Sequence, residues 1–404
     1  MSSALDQAAS YYLLYKTDPE ILILAHQQPP QKTQAQAQSL HHQTSKTNSS
    51  NTEEDNNIFW QEFEWTPEQK STVEQALAKN LVKSSIHSNL SSRGSFLVDK
   101  LDLEANLNWD RFYTAHRTKF FKDRHYLNKA FPDEFGAIYG HDNTCGEGEQ
   151  MGEDKETATS NNCIDIDTVN LDHATVSPFT IVEIGCGVGN TVLPLLELDP
   201  IITVLDSSTQ CQETTGVQKH NSSSQRKISV WGLDFSTVAV DLLQQDTRYI
   251  EAQKDRRACS AVWDITESHP SEIHPELESC SDISLLLFCL SAVSPDKMQE
   301  AANNVAATLK PGGTLILRDY GRFDEAQLKL GSSKGKRLSP NFYVKHDSTR
   351  VYYFDLDDLE RLLGSSGAGL VSIEKKYIQR IYKNRSDNTE RRRVWVQARF
   401  RKPL

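Results

Sequence analysis

The sequence predicts an α/β protein built on a parallel sheet, and three features of the chain predict it. From Phe179 onward, short β-branched apolar runs alternate with helical patterns, the order that a parallel sheet with crossover helices requires. A glycine-rich turn, EIGCGVGN at 183–190, joins the first of these runs to a helix. The last two runs, VSIEKKYIQRIY and RRVWVQARF, are separated by the polar NRSDNTE, which predicts an antiparallel hairpin at the end of the sheet.

Residues 26–57 are Gln, Ser, Thr and Asn with almost no apolar content, so the segment 1–57 is expected to be disordered. Residues 58–131 are expected to form a helical N-terminal extension. In FWQEFEWTPEQ, Thr66 is placed as an N-cap, Pro67 at the first helical position and Gln69 three residues past the cap, predicting a helix from there to about Lys83. A second helical stretch is predicted over 108–131, followed by an acidic linker, 132–177. The α/β domain is 178–404. Within it TIVEIGC reads as a buried strand and VGNTVLPLLEL as a helix stopped by Asp199-Pro200. Strands SAVWDI and DISLLLFCL, the helix PDKMQEAANNVAATL and the strand in KPGGTLILRDYG follow.

Composition removes several classes. The seven cysteines are scattered and contain no CxxC pair, so neither a disulfide framework nor a metal site is predicted. The longest apolar run, 283–293, falls short of the ~20 residues that a membrane span needs. The first 20 residues carry Asp6, Asp18 and Glu20 against Lys16, which suits neither a secretory nor a transit peptide, so a cytoplasmic address, with the nucleus as a second compartment, is expected. The net charge of −11 sits almost wholly in 131–172, where eleven Asp or Glu face one lysine. Residues 370–404 are the reverse, with eleven Lys or Arg against three acids, and predict a surface for a polyanion.

The glycine loop has glycines at 185, 187 and 189, a GxGxG pattern and not the GxGxxG of a dinucleotide site. Its glycines let backbone amides approach a ligand, and Glu183, two residues before the first of them, suits a ligand with a cationic end. S-adenosylmethionine has such an end and no pyrophosphate to repel the acid. Two acids compete for the ribose. Asp206 lies about 20 residues past the loop, the usual spacing. However, SSTQCQETTGVQKHNSSSQRK follows it and offers no apolar stripe for a crossover helix, whereas FSTVAVDLLQQ follows Asp234, with Ser236 as a cap and Val238, Leu242 and Leu243 able to pack. Asp234 is therefore the ribose acid and 206–226 an insertion, with 201–205 either its lead-in or a short edge strand pairing with 228–232. Asp264 and Ile265, ending the third strand, are placed to meet an adenine amine and ring, and Leu287 and Phe288 lie at the end of the fourth. No Asn/Asp-Pro-Pro-aromatic tetrapeptide and no Pro-Cys pair occurs, which speaks against attack by an exocyclic amine or through a covalent pyrimidine adduct.

With these residues stand the blocks NWDRFY, FFKDRHYL, GLDFS, LSAVSPDKM, LKPGG, LRDYGRFDEAQL, NFYVKHDSTRVYYF and RVWVQARFRKPL. Together they resemble the METL family of tRNA N3-methylcytidine methyltransferases. FWQEFEWTPEQ and the ending VWVQARFRKPL resemble its branch for threonine and arginine tRNAs. The resemblance implies a Rossmann-like class I methyltransferase that methylates N3 of cytidine 32 in the anticodon loop, with tRNA as partner and no metal. An accessory protein or aminoacyl-tRNA synthetase is left open as a further partner. Carried over from the family's WxxxY segment, loop glycine and strand ends, the cofactor residues are Trp109, Tyr113, Gly185, Asp234, Asp264, Ile265 and Leu287, with Glu183 and Gly187 from the loop itself. Asp319, at a strand end in LRDYG, is expected to face the N4 amine, the alternative being an ion pair with Arg318. Tyr320, Phe342 or Tyr343 would stack the flipped base, and Lys122, Arg124, His125, Lys345 and Arg350 would hold phosphates. A methylase for a small molecule or protein and a catalytically silent tRNA-binding subunit are the rival readings.

Overall fold

The computed structural model describes residues 60–85, 93–136, 138–139, 177–205, 223–383 and 390–404. The segment expected to be disordered, most of the acidic linker, and Asp206 with most of the insertion lie outside them. The strands are β1 (Trp60–Phe63), β2 (Phe179–Ile184), β3 (Ile201–Leu205), β4 (Ser223–Asp234), β5 (Ala258–Val262), β6 (Ser281–Leu287), β7 (Leu309–Tyr320), β8 (Arg337–Ser339), β9 (Phe342–Val344), β10 (Arg350–Tyr352), β11 (Val371–Lys383) and β12 (Glu390–Arg401).

A nine-stranded sheet runs β1-β11-β12-β7-β6-β2-β4, with β5 and β3 both paired to β4. β5, β4, β2, β6 and β7 are mutually parallel, and β12 turns antiparallel against β7. The strand order reverses at β2, which has β4 on one side and β6 on the other, so a crevice opens at the carboxyl ends of β2, β4 and β6. Successive side chains enter opposite faces of the sheet. Val182, Ile184, Leu286 and Leu317 join one apolar layer, and Ile181, Leu285, Leu287 and Ile316 the other. A second sheet, β10-β9-β8, is small and antiparallel.

The hairpin expected at the C-terminus is β11 and β12, in register from Ser372 opposite Phe400 to Lys383 opposite Glu390 apart from a bulge near Glu374. The predicted helix at Thr66 is Pro67–Ser85. Gln69 N–H donates to Thr66 Oγ1 at 3.2 Å and Thr66 N–H to Gln69 Oε1 at 3.1 Å, the reciprocal cap that the sequence spacing implied. Ser236 caps Thr237–Gln244 as expected, accepting from Ala239 N–H at 3.2 Å.

Four details differ. The extension is not wholly helical, because β1 adds to β11 antiparallel and closes that edge of the sheet. The stretch 108–131 is a helix only over Ala105–His116, ending where Arg117 takes φ 50°, and helical turns resume at Leu127–Ala130 and Pro132–Phe135. The helix after the glycine loop is confined to Val192–Leu196. β3 pairs with 223–227 and not with 228–232, because those residues already have β2 and β5 beside them.

Candidate active site

The glycine loop leaves β2 and is pinned to β4, since Gly185 and Cys186 both donate N–H to the carbonyl of Leu233, at 2.7 and 2.9 Å. Gly185 and Gly187 have φ of +72° and +55°, in the left-handed region that a side chain disfavours. A Cβ on Gly185 would stand 2.5 Å from Cys289 Sγ, and one on Gly187 2.7 Å from Tyr113 Oη. Asp234 ends β4 directly beside this loop. One of its oxygens accepts from Gly187 N–H at 2.8 Å and the other from Ser236 N–H at 2.9 Å, which holds the carboxylate beside the loop. Burial pushes its carboxyl up to about 6, against the pull of those N–H groups.

Glu183 is fully buried under the loop. Its Oε1 accepts from Arg124 Nη1 at 3.0 Å, and the same nitrogen reaches Thr191 Oγ1 at 2.9 Å. Oε2 has no hydrogen-bond partner among the described residues. Burial raises this carboxyl to about 7, and Arg124 pulls the other way. An orphaned acidic oxygen beneath a glycine cradle, with Asp234 at the next strand end, fits the ammonium and ribose of S-adenosylmethionine. The Ala105–His116 helix covers the loop: Asp110 accepts from Ser236 Oγ at 2.6 Å, and Asn106 Nδ2 donates to the Phe235 carbonyl. This docking brings Trp109 and Tyr113 to the crevice, stacked with centroids 5.7 Å apart.

Asp264 and Ile265 follow β5. Asp264 Oδ1 accepts from Thr266 N–H at 2.9 Å and Oγ1 at 2.8 Å, while Ile265 is buried in the layer with Trp263 and Met298. Leu287 ends β6, buried in the opposite layer, and Phe288 beyond it takes φ 57°.

Asp319 lies near the end of β7, wholly buried, and accepts from Ser291 N–H at 2.9 Å and from its neighbour Tyr320 N–H at 2.8 Å. Burial raises it to about 6, with the Ser291 hydrogen bonds opposing most strongly. It makes no pair with Arg318, since successive strand residues face opposite ways. Arg318 donates instead to Gln397 Oε1 and sits among Trp60, Tyr126 and Phe131, 5.0 to 5.4 Å from their ring centres. Tyr320 is half-buried beside Phe288, 5.2 Å between rings, with the Arg393 guanidinium 5.3 Å over it.

Several expected RNA contacts are placed differently. Arg124 is the partner of buried Glu183, not a phosphate ligand, because an acid at the loop's base needs a cation there. Arg350 is buried and donates to Asp102 at 2.6 Å, so it is not a phosphate ligand either. Phe342 and Tyr343 are each 1% exposed, core of the small sheet with no free face for a base. Lys345 is half-buried with its Nζ 5.6 Å over Trp109, and burial lowers its pKa, so it belongs to the crevice and not to an outer phosphate track. Lys122 and His125 are exposed. Part of the basic C-terminal segment is neutralised: Lys375 pairs with Glu360, Lys376 with Glu62 and Glu374, Arg393 with Asp324, and Arg399 with Asp133 and Glu134.

Arg393 and Trp395 were not foreseen in the crevice. Trp395 stands opposite Tyr320 in the β12–β7 pairing, 5.3 Å from Phe288. Only the strand register brings them there, and alternation of apolar residues in β12 does not specify which β7 residue each will face.

The chain is 33% identical over 382 residues to the tRNA N(3)-cytidine methyltransferase METTL2 of Bos taurus, which covers 85% of this chain and 89% of that one. It is 35% identical over 347 residues to METTL2 of Danio rerio, covering 85% and 84%, and 30% identical over 391 residues to METTL2B of Homo sapiens, covering 85% and 89%. A relative in Dictyostelium discoideum named O-methyltransferase 3 is 30% identical over 369 residues, covering 80% and 77%. No protein-family profile matches the chain. Among solved structures, a SAM-dependent methyltransferase from Methanosarcina mazei superposes with a TM-score of 0.36 at 17% identity, covering 57% of this chain and 94% of its own. With about a third of its residues identical across most of its length to several of these relatives, the chain belongs to the METTL2 family of tRNA N3-cytidine methyltransferases.

Proposed function

We propose that the chain transfers a methyl group from S-adenosylmethionine to N3 of cytidine 32 in the anticodon loop of threonine and arginine tRNAs. Beside the family membership, the observation that carries this reading is Asp319, a buried carboxylate near the end of the strand next to the cofactor crevice. The cofactor supplies an electrophilic methyl carbon on a sulfonium. Cytosine N3 already has an in-plane lone pair, so no residue must first remove a proton, and the task of the site is alignment. Asp234 accepts from the ribose and Glu183 Oε2 from the ammonium. Trp109 and Tyr113 cover the cofactor, Asp264 takes its adenine amine and Ile265 supports the ring. Asp319, ionised above about pH 6, accepts from the N4 amine and favours the positive charge that the ring gains on methylation. Tyr320 bounds the base, while Lys122 and His125 meet the backbone outside. Burial holds the Cys186 and Cys289 thiols protonated by raising them well above their ordinary value, which agrees with direct transfer without a covalent enzyme adduct.

The test is methylation of unmodified tRNA transcripts by the purified chain, with nucleosides identified by mass spectrometry. N3-methylcytidine is expected in threonine and arginine transcripts and absent when cytidine 32 is replaced by uridine. Methylation of small acceptors with tRNA untouched would overturn the reading. Asp319→Asn is expected to lower turnover by about 100-fold with cofactor affinity unchanged, the usual scale for one electrostatic contact made in the transition state. Activity of the chain alone would show that neither an accessory protein nor a synthetase is required.

A further inference from the structure

Asp102 lies near the end of the Arg93–Leu103 helix, in the N-terminal extension, yet its carboxylate collects donors from two loops of the catalytic domain. Arg350 Nη1 and Ser294 Oγ each donate to Oδ1 at 2.6 Å, and Lys297 Nζ stands 2.9 Å from Oδ2. Arg350 Nη1 also donates to Ser294 Oγ at 2.6 Å, which closes a triangle. Arg350 and Ser294 are both buried, so the triangle is shielded from competing water.

What the two loops carry gives this cluster its meaning. Ser294 and Lys297 belong to the turn after β6, and three residues before Ser294 the same turn presents the Ser291 N–H that binds Asp319. Cys289, at the start of the turn, is the group that a Cβ on Gly185 would strike. Arg350 begins β10, and the turn before it holds Lys345, whose N–H donates to the Thr349 carbonyl at 2.8 Å, next to Arg350. One carboxylate from the extension thus ties the turn that binds Asp319 to the strand that follows the Lys345 turn. A pair serving only to dock a helix would have no reason to engage both.

We infer that Asp102 is a positioning residue for methyl transfer: it fixes the turn that holds Asp319 and the turn that holds Lys345, so the base pocket is complete only while the N-terminal helices are docked. The cofactor end has ties of its own, the glycine loop to Leu233 and Asp234 and the Trp109 helix to Ser236 through Asp110, so it is expected to depend on Asp102 less than the base end does. The inference rests on the assignment of Asp319 to the base.

The experiment uses the full chain with Asp102→Asn, Asp102→Glu, Ser294→Ala and, in parallel, Asp319→Asn. Single-turnover methyl transfer to tRNA, cofactor affinity by calorimetry and thermal unfolding are measured for each. Asp102→Asn is expected to slow transfer by about 10- to 100-fold, the scale of a displacement of about 1 Å, while cofactor affinity stays within about two-fold. Asp102→Glu, which restores the charge, is expected to recover most of the rate. Ser294→Ala keeps the Arg350 pair and loosens only the turn, so it is the readout should Asp102→Asn not fold, and a partial loss of rate is expected. An unchanged rate in Asp102→Asn, or in Ser294→Ala if that variant alone folds, overturns the inference. So does a loss matched by an equal loss of cofactor affinity. Full activity of Asp319→Asn with slow transfer by Asp102→Asn would remove Asp319 from the proposed function and leave the positioning role standing.

Discussion

Glu183 shows how far one residue's surroundings can set its task. Its carboxyl, ordinarily near 4.5, is held at about 7 by burial, with Arg124 on one oxygen and nothing among the described residues on the other. Between those values the folded protein keeps a proton that the unfolded chain releases, so without cofactor this group's contribution to stability is lost as pH rises through that window. A cationic ligand reverses the preference, because it needs the ionised form. Cofactor affinity is therefore expected to strengthen as pH rises towards about 7 and to level off above it, and Glu183→Gln to flatten that limb while leaving a weaker one near 6 from Asp234; calorimetry across the range checks both. Arg124→Ala removes the counter-charge of a wholly buried acid and is expected to cost about 3 kcal/mol of stability, read by urea unfolding. Asp234→Ala is expected to abolish cofactor binding. A steeper dependence of tRNA affinity than of stability on Arg124 would contradict its internal role.

At the level of elements, the edge strand β1 covers more than its four residues suggest. It satisfies the outer edge of β11 and places Trp60 against the Arg318 guanidinium, which forms no ion pair among the described residues. Arg318 is 1% exposed, and its charge is balanced by ring faces and Gln397, with Nη1 lacking a hydrogen-bond partner among the described residues. Such a site tolerates the loss of a ring poorly, since cation–π attraction and desolvated packing disappear together. Trp60→Ala is expected to destabilise the protein by about 3 kcal/mol and to raise the exchange rates of β11 amides before those of β2, measurable by hydrogen exchange. Uniform protection loss across the sheet would show that β1 is not a local clasp. The same edge explains why a strand appears where the surrounding residues read as helical: WQEF is too short to carry a period of its own, and pairing with β11 decides its state.

On the scale of the whole molecule, the charge distribution along the chain and in space differ. The C-terminal cations look like an RNA surface in one dimension, but folding sets several of them against acids from the extension and the helices, Glu62, Glu360, Asp324 and Glu134 among them. The exposed basic stretch after Ala105–His116 is a better electrostatic track, with Arg117 and Lys119 beside the exposed Phe120. Replacing Arg117 and Lys119 by alanine is expected to weaken binding to all tRNAs alike and to lower the slope of log affinity against log salt by up to about 2, whereas Lys375→Ala should leave it unchanged; filter binding at several salt concentrations distinguishes them. Much of this protein was legible in its sequence because the signals are local. The glycine loop, the cap at Thr66, the helix after Asp234 and the closing hairpin depend on residues a few positions apart, and backbone conformation and amphipathic period act over that range. The position of Asp234 at a strand end beside the glycine loop follows from the same local rule. What tertiary structure alone decided is which charges meet. Arg124 with Glu183, Arg350 with Asp102 and Arg393 above Tyr320 join residues 59 to 248 positions apart in the chain. Ion pairing is set by proximity in a low-dielectric interior, and sequence spacing carries no record of it.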